Sequence, residues 1–157
     1  VGGNPLSRID PFGLDTVVII SDGGILPIFD HSATFVDNGG DPVLFDPGGS
    51  FNSGIRGSGD FFSGEEANLN KFVEFQKSDG SKVTQFRFST TAGEEASIVD
   101  RIISGGGVSP GLCAVATSSV LSGVGPFMSF NGSRTPGGIE NELRSLCESR
   151  KEICEIK

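Results

Sequence analysis

The chain has 157 residues, enough for one domain with a sizeable core; 36% of them are hydrophobic, including thirteen Phe, and Trp and Tyr are absent. Twelve Lys and Arg against 20 Asp and Glu leave a net charge of −8, which offers no electrostatic footprint for a phosphate backbone and counts against a nuclease. No apolar run has the length of a membrane span, no signal peptide is visible, and the glycine pairs recur at no fixed period.

The first motif in chain order is Gly3-Asn4-Pro5-Leu6-Ser7-Arg8-Ile9-Asp10-Pro11-Phe12-Gly13-Leu14. Its Asp-Pro-x-Gly turn chemistry is that of a Pro/Gly-rich arm. In wording and spacing it also resembles the NP…DPxGL motif that closes the shell-forming Rhs core of bacterial polymorphic toxins. The resemblance implies that residues 1–14 are the end of an Rhs core and residues 15–157 a variable toxin domain. It further implies a cut between Leu14 and Asp15, made by aspartates of the shell, of which this chain retains Asp10. An Rhs shell and a cognate immunity protein are the implied partners. The implied destination is a target bacterial cell, its cytoplasm first, into which the domain is delivered as a secreted effector.

Beyond that boundary, Thr16-Val17-Val18-Ile19-Ile20 is a β-branched strand that stops at Ser21-Asp22-Gly23-Gly24. Residues 32–36 and 42–46 are two further strands, and the Asp37-Asn38-Gly39-Gly40 link makes them an antiparallel hairpin. Ser63 and Glu66 have capping-box spacing ahead of a helix carrying Leu69, Phe72, Val73 and Phe75. Residues 82–88 alternate as a strand. Thr91 and Glu94 form a second capping box, opening a helix with Ala96, Ile98 and Ile102 that closes at Gly105. Ser109-Pro110 predicts a third helix with Ser109 as N-cap, and Thr135-Pro136 a fourth through Ile139, Leu143 and Leu146. This order predicts an α+β domain whose mostly antiparallel sheet is packed with helices.

Three cysteines without regular spacing make a poor disulfide framework and point to a reducing compartment. Cys147 and Cys154 read as two unremarkable thiols near a C-terminal helix. Zinc is disfavoured because all three cysteines and the single histidine would have to converge, and no cofactor is expected.

The candidate chemistry rests on three residues. His31 is the chain's single histidine and stands at the mouth of a strand, the natural general base near neutral pH. Cys113 falls in the first turn of the third helix, where backbone N–H groups and the dipole stabilise a thiolate. Asp46 ends the neighbouring strand, where its carboxylate could orient the imidazole, although Asp46-Pro47-Gly48-Gly49 also reads as a turn. A nucleophile on a helix start with base and orienter on adjacent strands is a papain-like layout. The order His, Asp, Cys is the reverse of ordinary papain-like enzymes. It resembles circularly permuted members of that superfamily in residues 31–35, residues 43–51 and Gly111-Leu112-Cys113-Ala114. That resemblance implies an interbacterial toxin acting as a cysteine peptidase or amidase on a protein or peptide substrate. The same triad serves deamidation, acyl transfer or lipid deacylation. A nuclease-type Rhs toxin and a non-enzymatic packing module are the competing classes.

The backbone N–H of Cys113 is one oxyanion donor, and Gln76 and Gln85 are candidates for the second. Glu65-Glu66 and Glu94-Glu95 could pass for a glycosidase's carboxylates, but a position in a helix's first turn is sufficient to explain them. Gly54-Ile55-Arg56-Gly57-Ser58-Gly59 lacks the strand and the Gly-Lys-Ser end of a phosphate loop.

Overall fold

The computed structural model describes residues 14–23, 30–52 and 60–157; the N-terminal motif up to Gly13, Gly24 of the first turn and the glycine loop at 54–59 lie outside the described residues. The described chain is an α+β structure with one six-stranded sheet and four α-helices. The strands are β1 (Asp15–Asp22), β2 (His31–Val36), β3 (Val43–Phe45), β4 (Phe61–Ser63), β5 (Lys82–Ser89) and β6 (Cys154–Ile156). They lie in the order β4-β3-β2-β1-β5-β6, and each neighbouring pair is antiparallel. The helices are α1 (Leu69–Lys77), α2 (Ala92–Gly105), α3 (Cys113–Leu121) and α4 (Pro136–Ser149).

Strand alternation divides the core into two layers. Val18 and Ile20 of β1, Val43 and Phe45 of β3, and Phe86 and Phe88 of β5 pack with apolar residues of α2, α3 and α4. The intervening Val17, Ile19 and Leu44 pack instead with Phe51, Phe62 and Phe72 of α1. With both faces covered, β1 is apolar and buried from Val17 to Ile20, which explains its continuous rather than alternating run. Among the described residues, no helix is long and apolar enough to cross a membrane.

Local signals located most elements, with some corrections. The Thr91–Glu94 capping box forms with both bonds, and Thr135 caps α4 at Gly138 N–H ahead of Pro136. Ser63 caps nothing: residues Gly64–Glu66 form a 3-10 turn, and α1 starts later, capped by Asn68, which accepts the Lys71 N–H. Gly64 takes φ +57, outside the right-handed α region, so Glu65-Glu66 lie in this turn and not in an α-helix. The short strands β4 and β6 carry no sequence signal of their own and exist by pairing with β3 and β5.

A further correction concerns the cysteines. Cys147 on α4 and Cys154 on β6 form a disulfide, with Cα atoms 5.2 Å apart. The two are not on one helix: the chain turns after Arg150, whose carbonyl accepts the Cys154 N–H, and β6 then returns along β5. The bond therefore ties an edge strand to the helix behind it. Cys147→Ser is expected to lower stability by about 2 kcal/mol, a fall in Tm of about 4–8 °C, by releasing this loop in the unfolded chain. Activity should change little. Calorimetry with and without a reductant checks this, and identical Tm values would show that the bond contributes nothing.

Candidate active site

Two Pro-Gly turns build the site. In the first, Gly49 N–H donates to the Asp46 carbonyl (3.0 Å) across Pro47 and Gly48, and Gly48 has φ +66. In the second, Leu112 N–H donates to the Ser109 carbonyl (3.2 Å) across Pro110 and Gly111, and Gly111 has φ +88. Proline followed by a left-handed glycine is the chemistry of a type II turn. The expectation of Ser109 as N-cap is therefore corrected: Gly111 breaks any helix there, and α3 begins at Cys113 with Leu112 before it. Cys113 keeps its place in the first turn, as the helix's first residue.

The turns pack against each other. A Cβ on Gly48 would lie 3.0 Å from the Ser109 carbonyl oxygen and 3.2 Å from Pro110 Cα. Asp60 fastens them together: its Oδ1 accepts the Gly48 N–H (2.8 Å), its Oδ2 the Val108 N–H (2.7 Å), and its carbonyl the Asp46 N–H (2.8 Å). Sequence reasoning missed Asp60, because nothing local marks a carboxylate whose partners lie 12 and 48 residues away.

Asp46 is fully buried and spends both oxygens. Oδ1 lies 2.5 Å from His31 Nε2, and Oδ2 accepts the Phe51 N–H at 3.1 Å. Phe51 anchors the far side of this loop through edge-to-face contacts with the rings of Phe62, Phe72 and Phe75. With Nε2 engaged by Asp46, Nδ1 is the ring nitrogen left for the Cys113 thiol, whose interaction with the imidazole favours its charged form. The structure thus brings together all three residues singled out in the sequence.

The electrostatics follow from this contact. Burial opposes a charged imidazole, but the Asp46 carboxylate and then Cys113 outweigh it and raise the His31 pKa to about 9. Burial likewise pushes the Cys113 thiol up, yet the bond and charge of His31 bring it below its ordinary value. The backbone amide of Ser32 adds a smaller stabilisation to the sulfur. Ser32 is a second residue missed in the sequence; it is buried on β2 and donates its hydroxyl to Thr117 of α3 (3.1 Å), so it braces the strand against the helix of the thiol. Together these shifts favour a thiolate–imidazolium pair.

A cavity of about 210 Å³ opens on this pair, walled by His31, Cys113, Gly48, Gly49, Phe75 and Gln76. Gln76 accepts the Ser21 hydroxyl at Oε1 (3.0 Å), which fixes its amide and leaves Nε2 as a donor. Gln85 does not line the cavity; it sits on β5, with its backbone paired to Lys157. Glu94 serves the α2 capping box, and Glu95 is buried, accepting the Asn38 N–H and the Thr90 hydroxyl. Among the described residues no cluster of His, Cys, Asp or Glu could hold a metal ion.

Leu14 and Asp15 stand elsewhere. Leu14 is buried with its carbonyl accepting the Thr90 N–H, and Asp15 opens β1, paired with Arg87 at 2.6 Å. His31 pairs with Ser21 at the other end of β1. At about 3.4 Å per residue, the Leu14–Asp15 bond lies roughly 20 Å along the sheet from the cleft. Comparison with protein-family models, with curated proteins and with solved structures returned no match, and the chemistry of this site rests on its own geometry.

Proposed function

We propose that the chain is a cysteine hydrolase, a peptidase or amidase with a circularly permuted papain-like arrangement, and that it serves as the toxin domain behind an Rhs shell. The observation that carries the chemistry is the relay Asp46–His31–Cys113, with the sulfur on the first residue of a nine-residue helix. Sulfur attacks the carbonyl carbon of an amide or ester, and the C–S bond forms as the carbonyl electrons move to oxygen. The Cys113 backbone N–H, unused within α3, and Gln76 Nε2 meet that oxyanion. His31 then gives its proton to the leaving nitrogen or oxygen, and the C–N or C–O bond breaks. Water, deprotonated by His31, hydrolyses the thioester and returns the thiol. An amine in place of water makes the same site an acyl transferase, and a glutamine side chain as substrate makes it a deamidase. The toxin assignment rests on the N-terminal motif, and the acidic charge argues against the nuclease alternative. The position of the cleft supports a cut at Leu14–Asp15 made by the shell and not by Cys113 of the same chain.

The test is the pH dependence of Cys113 alkylation by iodoacetamide. The lowered thiol pKa keeps the sulfur ionised below the ordinary range, and reactivity is lost as pH falls through that depressed value. Turnover should also fall on the alkaline side, as His31 loses its proton near pH 9 and can no longer protonate a leaving group. In His31→Gln the thiol pKa should rise, because burial is then opposed only by the smaller contribution of Ser32, and alkylation at pH 7 should slow about tenfold or more. An unchanged midpoint in that variant would sink the ion-pair mechanism.

A further inference from the structure

The charge of the cleft is one-sided. Asp30 and Asp79 line the cavity beside the catalytic pair, and among the described residues no Lys or Arg does. Neither carboxylate forms an ion pair among the described residues, whereas Asp15, Glu140 and Glu155 each have a basic partner. Both are also held in place. Asp30 Oδ1 accepts the Gly23 N–H at 3.1 Å, and Asp79 Oδ1 accepts the Ser81 N–H at 3.0 Å and the Ser81 hydroxyl at 2.6 Å. Those Ser81 bonds lower the Asp79 pKa, so its charge persists through the neutral range.

With Cys113 ionised and His31 protonated, the triad keeps one negative charge, that of Asp46, whose oxygens bond His31 and the Phe51 amide. Asp30 and Asp79 add two further negative charges at the cleft, within a chain of net charge −8. Phe75, 37% exposed, supplies an aromatic surface on the same wall, which suits an ammonium or guanidinium group better than an anion.

We propose that the cleft selects a carbonyl substrate carrying a positive charge close to the scissile bond, with Asp30 and Asp79 as the residues that set this preference. The proposal rests on the cysteine-hydrolase reading. A lysine or arginine side chain of a peptide and an acylated polyamine share this chemistry.

The test needs no known substrate, because Cys113 is the free thiol of the chain. Its modification rate is measured on the full chain with three methanethiosulfonates of similar size: trimethylammonium-ethyl, sulfonato-ethyl and a neutral alkyl. Each rate is divided by that of 2-mercaptoethanol with the same reagent. The cationic reagent should exceed the anionic one by roughly tenfold at low salt, with the gap closing in 0.5 M salt. Asp30→Asn and Asp79→Asn should each shrink the ratio severalfold while leaving the neutral rate unchanged. A ratio equal to that of the small thiol, or one that survives both substitutions, overturns the proposal and leaves the hydrolase reading standing. A neutral rate no faster than the small thiol's, and unaltered in His31→Gln, overturns the hydrolase reading whatever the charge ratio. Protection of Cys113 by N-acetyl-lysine amide or by spermidine identifies the source of the charge. Equal protection by N-acetyl-norleucine amide, or protection by none of the three, also overturns the proposal.

Discussion

Replacing Cys113 by alanine is expected to abolish hydrolysis and toxicity, a loss of roughly 10⁴-fold or more, because the nucleophile has no substitute. The substitution removes one sulfur from a small buried side chain at a helix start and should cost about 1 kcal/mol of stability. It therefore separates chemistry from folding. His31→Ala does not: it would strand the fully buried Asp46 carboxylate, and breaking such a pair costs about 3–5 kcal/mol. His31→Gln, which can still donate to Asp46, is the better partner variant. The measurement is growth of a sensitive bacterium expressing the full chain in cytoplasm or periplasm, alongside melting curves of the purified proteins. A folded, well-expressed Cys113→Ala protein with full toxicity would end the cysteine-enzyme hypothesis. Toxicity in one compartment alone would identify where the substrate resides.

Gly49→Ala is expected to be nearly as damaging, although Gly49 touches no substrate bond. A Cβ at this position would lie 2.1 Å from both carboxylate oxygens of Asp46. A flexible surface carboxylate would swing aside at little cost. Asp46 has nowhere to go, since it is fully buried with one oxygen on His31 and the other on the Phe51 amide. The methyl group must push the carboxylate off the imidazole or force the Asp46–Gly49 turn away from the Ser109–Leu112 turn. Displacements of this order cost about 10²-fold in rate. The loss should appear in kcat and not in KM. It should be accompanied by a lower His31 pKa, because the Asp46 contact is the foremost of the influences that raise it. An NMR titration of the single histidine checks this directly, and a wild-type pKa and turnover in Gly49→Ala would show that Asp46 does not orient His31. Asp46→Asn should weaken activity by another route: an amide cannot accept from both His31 and Phe51, nor stabilise the imidazolium.

Much of this molecule is determined by local chemistry. The β-branched run of β1, the alternation in β5, the Thr91 capping box and the Thr135-Pro136 helix start were all legible because each depends on neighbours within a few residues. The three candidate residues that the fold brings together were legible for a related reason. One histidine, one cysteine near a helix start and an aspartate beside a Pro-Gly turn leave few other arrangements. What the tertiary structure decided lies where a residue answers to distant partners. Ser109-Pro110 has the letters of a helix start, yet the glycine after it takes a left-handed turn packed against Gly48, and α3 waits until Cys113. Asp60 and Ser32 look like ordinary polar residues until the fold carries the amides of Gly48 and Val108 to one and the thiol to the other. Cys147 and Cys154 become a pair because β6 finds the edge of β5, an event that the six intervening residues do not encode. Short-range preferences are worth a fraction of a kcal/mol per residue, whereas buried hydrogen bonds and strand pairing are settled by the whole fold at once.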